Sequence, residues 1–510
     1  MVRESIRAAL VDAVRGMGVD GDMPDLELGR TKSPELGDYA TSAPQKLARV
    51  LREAPDTIAA RLVETITITD GAVTAEAVRG YVNFRLRDDW LRDLVSRIEP
   101  GYGAQDIGHG ERLQVEFGSI NPTGPLHIGH GRGVTIGDSI SRLLEFTGHA
   151  VEREYYVNSD NTQTRRFGAS VYARLHGQEP PEGGYLGEYV AEMAEMARRD
   201  LPEIEKEPEA EAEPKLRRYA MEKVIEQIRA SVARLGVRYD NWFWEDTIWQ
   251  SGLGWKAIER LREAGYIKER DGALWFGEPD EDEEDRVVIR ANGQPTYFAS
   301  DLGYLLSRFE ERGFHRVIEV WAADHHGYVA RMKAAAEALG VEPERLVIII
   351  HQLVNLKEGR MSKRAGRFVT LDELIDRVGS DAVRYFYLLR SPDTTIETVA
   401  TQQHSRLPDK ADVSMLVQPW ELDVARQLAF WPDVVEDATR LREPHRIPYY
   451  VHDLATAVHR FYHAGNAQSE YRVVVDDANL TRARLELCRA ARHTLKTALD
   501  LMGVSAPERM

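Results

Sequence analysis

Strand and helix patterns alternate between residues 113 and 157 and resume at 317–320 and 346–350. They predict an α/β chain built on a doubly wound parallel sheet. A separate α+β unit is expected before it, over residues 1–96, and only helical periodicity follows from about residue 391. The 510 residues suffice for three such domains, with boundaries expected at 1–96, 97–390 and 391–510.

In the first unit, amphipathic helices at 3–16 and 42–52 precede alternating, β-rich segments at 65–68 and 81–86. Pro100-Gly101-Tyr102-Gly103 is turn punctuation of the kind that suits a linker. Leu113-Gln114-Val115-Glu116-Phe117 is a strand that runs into the loop Gly118-Ser119-Ile120-Asn121-Pro122. A helix from about 129 to 146 follows, then a strand at 151–157, which completes a βαβ unit and implies a Rossmann-like sheet. Residues 172–235 are rich in Ala and Glu and poor in apolar side chains, and are expected to form a helical insertion between the sheet halves. The strand at 346–350 is almost wholly apolar, as a strand covered on both faces should be. From about 391 onward the chain reads as an all-helical domain.

Charged residues make up 29% and hydrophobic residues 43%, a globular balance, and no apolar run approaches the ~20 residues of a membrane span. Residues 1–10 mix Arg3, Glu4 and Arg7 with apolar residues and lack the apolar core of a secretory signal. Cys488 is the only cysteine, which excludes a disulfide framework or thiolate zinc site and suits a cytoplasmic location. The net charge of −17 opposes nucleic-acid binding in general, but much of the acid is concentrated in 202–214 and 279–285. The stretch from Arg482 to Lys496 is basic, and a local basic face is compatible with an acidic whole.

Two segments carry chemistry. In Asn121-Pro122-Thr123-Gly124-Pro125-Leu126-His127-Ile128-Gly129-His130, two imidazoles stand three residues apart where a helix begins. That end offers unpaired N–H groups and a positive dipole to a phosphate, and Gly129 leaves room for a purine against the backbone. A bare His-x-Gly-His is more often a helix cap, and the Asn-Pro-Thr-Gly-Pro prefix is what favours the phosphate reading. Gly359-Arg360-Met361-Ser362-Lys363-Arg364-Ala365-Gly366 sets three cations within five residues between glycines. Alone it reads as a basic surface turn; beside the first segment it reads as a loop that closes over a departing pyrophosphate.

In this order on one chain, the two segments resemble the paired signatures of class I aminoacyl-tRNA synthetases. Further segments resemble the bacterial type of arginyl-tRNA synthetase: Val115-Glu116-Phe117, Tyr155-Tyr156-Val157-Asn158, Trp242-Phe243-Trp244-Glu245, Thr296 to Leu302, Ala323-Asp324-His325-His326-Gly327, and 369–384. The resemblance implies activation of arginine by ATP to arginyl-adenylate and its transfer to the 3′ end of tRNA(Arg). ATP would arrive with Mg²⁺, no metal would be tightly held by the protein, and the chain would act as a cytoplasmic monomer away from membranes.

By the same resemblance, His127, His130 and Lys363 serve catalysis, and ATP is contacted by these with Gly129, Arg360 and Met361. Arginine falls to Asn121, which holds its α-groups, to Glu245, Tyr297 and Asp301, and to Glu116, Ser119 and His325. A guanidinium calls for planar carboxylate acceptors in a desolvated pocket, which fits two acids among these. Other roles are open to some of them: Asp301 as a helix cap, Tyr297 as a core aromatic, Asp324-His325-His326 as metal ligands. That last triplet ends an apolar strand, where nucleotide folds hold ribose and adenine, and is read as nucleotide-binding.

The chain departs from the family pattern in two places. Arg360 stands where the family has lysine. After Ser391-Pro392-Asp393, the segment that opens the anticodon bundle is absent, and 394–410 leads directly to what read as later helices. The helical domain is therefore expected to be shortened. Two alternatives to tRNA ligation follow: an arginine-activating paralogue with another acceptor, and a non-catalytic tRNA- or arginine-binding homologue.

Overall fold

The computed structural model describes residues 2–19, 24–31, 33–68, 71–277, 286–352, 369–388 and 411–506. Arg360, Met361 and Lys363, and the shortened stretch 394–410, lie outside the described residues.

The N-terminal unit is an antiparallel sheet of four short strands packed with helices Val2–Gly16, Ala43–Leu51 and Pro55–Thr65. The β-rich reading of 65–68 is corrected: Thr65 ends a helix and Ile66 caps it with an extended backbone, its N–H bonded to the Leu62 carbonyl. Tyr81–Leu86 pairs with Val73–Val78 on one side and Tyr39–Thr41 on the other. Pro100-Gly101-Tyr102-Gly103 does not hang free. The Trp431 indole donates to the Tyr102 carbonyl at 2.7 Å, and the Tyr102 hydroxyl donates to the Leu428 carbonyl.

The central sheet has five parallel strands: β1 (Arg112–Phe117), β2 (Ala150–Val157), β3 (Asn241–Trp244), β4 (Arg316–Ala322) and β5 (Leu346–His351), in the order β5-β4-β1-β2-β3. The order reverses between β1 and β4, and a doubly wound sheet leaves its ligand crevice beyond the carboxyl ends of strands at such a point. Three helices, Thr162–Leu175, Glu188–Asp200 and Glu209–Arg234, connect β2 to β3. The insertion therefore lies within one half of the sheet and not between halves, because β3 pairs with β2 directly. Its long helix buries Leu216, Ala220, Val224, Ile228 and Val232, an i, i+4 stripe that a low overall apolar content conceals. The turn to the other half passes through a second, antiparallel sheet of three strands between residues 267 and 289, which the sequence reading lacked. β5 is the terminal strand among the described residues, and its central residues are half-buried, so its apolar run does not mark coverage on both faces.

Helix α1 (Ile128–Phe146) lies so close to the sheet that a Cβ on Gly137 would stand 2.2 Å from Phe117 Cγ, and one on Gly133 2.6 Å from His351 Nε2. That approach brings its N-terminus to the switch point. Three helices close the chain: α2 (Pro419–Leu441), α3 (Arg446–Ala467) and α4 (Ala478–Met502). The basic stretch in α4 is divided: Arg492 and Lys496 are exposed, whereas two of its other cations are engaged internally. Arg484 is buried on Glu421 and the carbonyls of Glu470 and Arg472, and Arg489 pairs with Glu486 and Glu99.

Candidate active site

A cavity of about 860 Å³ opens at the switch point. Lining it are Glu116, Ser119, Asn121, His127, Gly129, His130, Tyr297, Asp301 and His325, residues the sequence marked in well-separated parts of the chain. Glu245 is not among the lining residues. It is buried at the end of β3, where it accepts the backbone N–H groups of Ser159 and Asp160 at 3.0 and 3.4 Å. Burial pushes its carboxyl up, opposed by hydrogen bonds from Ser300, Asp160 and Ser159.

His127 is the N-cap of α1. Its Nδ1 accepts the Gly129 N–H at 3.1 Å, and His130 Nδ1 accepts the His127 N–H at 3.2 Å. A backbone N–H can only donate, so each neutral ring carries its proton on Nε2 and presents a donor there. The rings stack with centroids 3.4 Å apart. Strand-like contacts hold this turn from outside: the Ile128 N–H donates to the Val369 carbonyl, the Leu371 N–H to the Leu126 carbonyl, and His127 bridges Thr370. The described residues on either side of 353–368 thus both stand at the site, since His351 lines the cavity.

The floor is a row of acids. Glu154, Glu116 and Glu319 are direct partners across β2, β1 and β4, and so share one face of the sheet. Like charges in that arrangement repel, and the helix Tyr297–Leu306 with the π turn Ser307–Glu311 supplies the counter-charge. Arg312 pairs with Glu154. The fully buried Arg308 pairs with Glu319, lies 3.6 Å from Glu116, and stacks over the Tyr304 ring at 3.9 Å. Tyr297, Asp301, Tyr304 and Arg308 fall on one helical face. Asp301 is in the second turn and caps nothing, Thr296 being the N-cap, while Tyr297 is 45% exposed and not a core aromatic. The Tyr328 hydroxyl donates to Asp301.

The buried guanidinium of Arg308 thus faces Glu116 and Glu319 directly and acts on Asp301 through its charge. Burial pushes the Glu116 carboxyl up to about 8, assisted by the charge of Glu319. Asp301 is pushed up to about 7 by burial and by the charges of Glu319 and Glu245, against the Tyr328 hydrogen bond. Arg308, Glu319, Tyr304 and Tyr328 were missed by sequence reading, although a glutamate inside the apolar run Val317-Ile318-Glu319-Val320 was a visible signal. His325 and His326 are both exposed, and only His325 lines the cavity.

A Rossmann-like sheet whose switch point holds a stacked His-x-Gly-His turn is the catalytic domain of a class I aminoacyl-tRNA synthetase. Residues 98–179 and 189–393 match the family "tRNA synthetases class I (R), catalytic domain", residues 1–86 match "Arginyl tRNA synthetase N terminal domain", and 394–510 match "DALR anticodon binding domain". An arginine--tRNA ligase of Moorella thermoacetica is 39% identical, covering 100% of this chain and 99% of its own length. One of Listeria monocytogenes is 37% identical, covering 99% and 98%. The solved structure of the arginyl-tRNA synthetase of Thermus thermophilus shares the fold, with a TM-score of 0.82 over 100% of both chains at 23% identity. The chain belongs to the arginyl-tRNA synthetase family.

Proposed function

We propose that the cavity activates arginine and that the chain is an arginine--tRNA ligase. The observation that carries this is the acid-rich floor, where Glu116, Glu319 and Asp301 line the cavity around the fully buried Arg308. Substrate arginine places its guanidinium there, beside Tyr297, with Asn121 at its α-groups. Its carboxylate oxygen attacks the α-phosphorus of ATP, the bond to the β-phosphate oxygen breaks, and pyrophosphate leaves. No protein base is needed, because the carboxylate is already ionised; the task is to neutralise charge as it develops. The Nε2–H donors of His127 and His130 at the α1 N-terminus serve that end, and Lys363 and Arg360 are the cations for the leaving group. Mg²⁺ enters with ATP. A terminal ribose hydroxyl of tRNA(Arg) then attacks the adenylate carbonyl, and AMP departs.

Residues 1–96 and 391–510 hold the tRNA, and the chain acts as a cytoplasmic monomer. Two alternatives, an activating paralogue and a non-catalytic binder, are disfavoured by full-length similarity to ligases. The Moorella alignment runs over 561 positions against 510 residues here, a length difference that accords with a shortened helical domain. Incubation with ATP, radiolabelled arginine and total tRNA is expected to label tRNA; folded protein that charges none overturns the reading.

A further inference from the structure

Asn161 is the N-cap of the helix Thr162–Leu175, is 5% exposed, and was marked by no sequence pattern. Its Oδ1 accepts the N–H groups of Gln163 and Thr164 at 2.8 and 2.9 Å, and its own N–H donates to Thr164 Oγ1. Since those N–H groups can only donate, the amide of Asn161 cannot be reversed without losing the cap. Its Nδ2 therefore faces outward, and it donates to Asn121 Oδ1 at 2.7 Å. The polarity passes on: Asn121 must present oxygen to Asn161, which leaves its Nδ2 group, with no acceptor among the described residues, to the cavity that it lines.

We propose that Asn161 is a positioning residue which fixes Asn121 as a hydrogen-bond donor, so that Asn121 receives the carboxylate of the amino-acid substrate and not its α-ammonium. The inference rests on the reading of the cavity as the arginine site. In its consequence for the reaction, the donor stays on the oxygen that is not attacking phosphorus, and it keeps a partner when that oxygen becomes the adenylate carbonyl. An acceptor in its place would repel the carboxylate throughout.

Asn161→Asp tests this directly. An aspartate keeps both cap hydrogen bonds but offers an acceptor where Nδ2 was, so the Asn121 amide must turn and present oxygen to the cavity. The full-length protein, with tRNA present and ATP absent, is titrated with arginine, with 5-guanidinopentanoate (carboxylate, no α-ammonium) and with agmatine (ammonium, no carboxylate). N161D is expected to weaken 5-guanidinopentanoate by about ten-fold or more while agmatine is not weakened, with a melting temperature no lower than the parent's. A negative charge alone would produce part of that pattern, so the pair of substitutions is closed as a cycle with Asn121→Ala. In that background N161D should change 5-guanidinopentanoate binding by less than about three-fold. Equal weakening of both analogues, an unchanged ratio, or an undiminished effect in the Asn121→Ala background overturns the assignment of Asn161. Failure of the parent to bind arginine at all overturns the underlying reading instead.

Discussion

Asp301 reaches the cavity from the second turn of its helix, with a hydroxyl on it and acids around it, and its chemistry sets two expectations. Asp301→Asn keeps the shape and removes the counter-charge for a guanidinium. The apparent Michaelis constant for arginine should rise by about 3–5 kcal/mol equivalent while that for ATP changes little. Equal changes in both would remove Asp301 from specificity. The pH dependence has a definite sign. Burial pushes the Asp301 carboxyl up to about 7 and that of Glu116 up to about 8, above the ordinary carboxylate range. The folded protein thus holds protons that the unfolded chain has released, and these groups make stability fall as pH rises from roughly 4 through 7 to 8, then level off. A bound guanidinium favours the ionised forms, so arginine should bind more tightly as pH rises from 6 to 8, with proton release visible by calorimetry in buffers of differing ionisation enthalpy. A pH-independent affinity would contradict this. Lys363→Ala should depress adenylate formation by about 10²–10³ with little loss of binding, and Arg360→Ala by less, measured before the steady state. At this scale the dense motifs brought Glu116, Asn121, His127, His130, Tyr297 and Asp301 to one cavity, whereas Glu245, also in such a motif, does not line it. Arg308, Asn161 and Tyr328 escaped because their roles come from register across strands and from hydrogen-bond direction, neither of which is written in local spacing.

Among elements, α1 was the most legible, since a strand, a glycine-rich loop and a helix follow in order. Its glycines are the reason it reaches the site. Gly137→Ala would drive a methyl into Phe117 and should cost about 1–3 kcal/mol in chemical denaturation, with the catalytic rate falling as the His127 turn shifts. Unchanged stability would show that the helix can retreat freely. The antiparallel sheet at 267–289 was illegible for a different reason: its strands are four residues long and carry no sustained alternation. The apolar run of β5 misled because periodicity cannot distinguish an edge strand from a central one. Arg384 ties elements together: its guanidinium pairs with Asp138 of α1 and donates to the carbonyls of Leu235 and Met502. Arg384→Ala removes one cation from Asp138, which keeps Arg142 at 2.8 Å, and leaves two buried carbonyls without their donor; it should destabilise by about 1.5–3 kcal/mol, read as a lowered denaturation midpoint.

Over the whole molecule, the N-terminal unit and the closing helices meet in a charged seam. Arg3, at the start of the first helix, pairs with Glu436 at 2.7 Å and with Asp437. The Tyr39 hydroxyl donates to Asp433, Arg426 pairs with Asp38 at 2.9 Å, and Arg30 lies over the Phe430 ring. Arg3→Ala should loosen this seam, raising the Michaelis constant for tRNA while that for arginine holds, and exposing the 97–105 region to limited proteolysis. The seam also imposes an order of events on synthesis. Arg3 and Asp437 are 434 positions apart. A ribosome adding about 5–20 residues per second takes on the order of tens of seconds to span that distance. Throughout that interval the first helix is out of the exit tunnel with its guanidinium unanswered, and the nascent N-terminal unit exposes the face that will later be sealed. That face therefore stays in contact with solvent until α2 arrives to cover it.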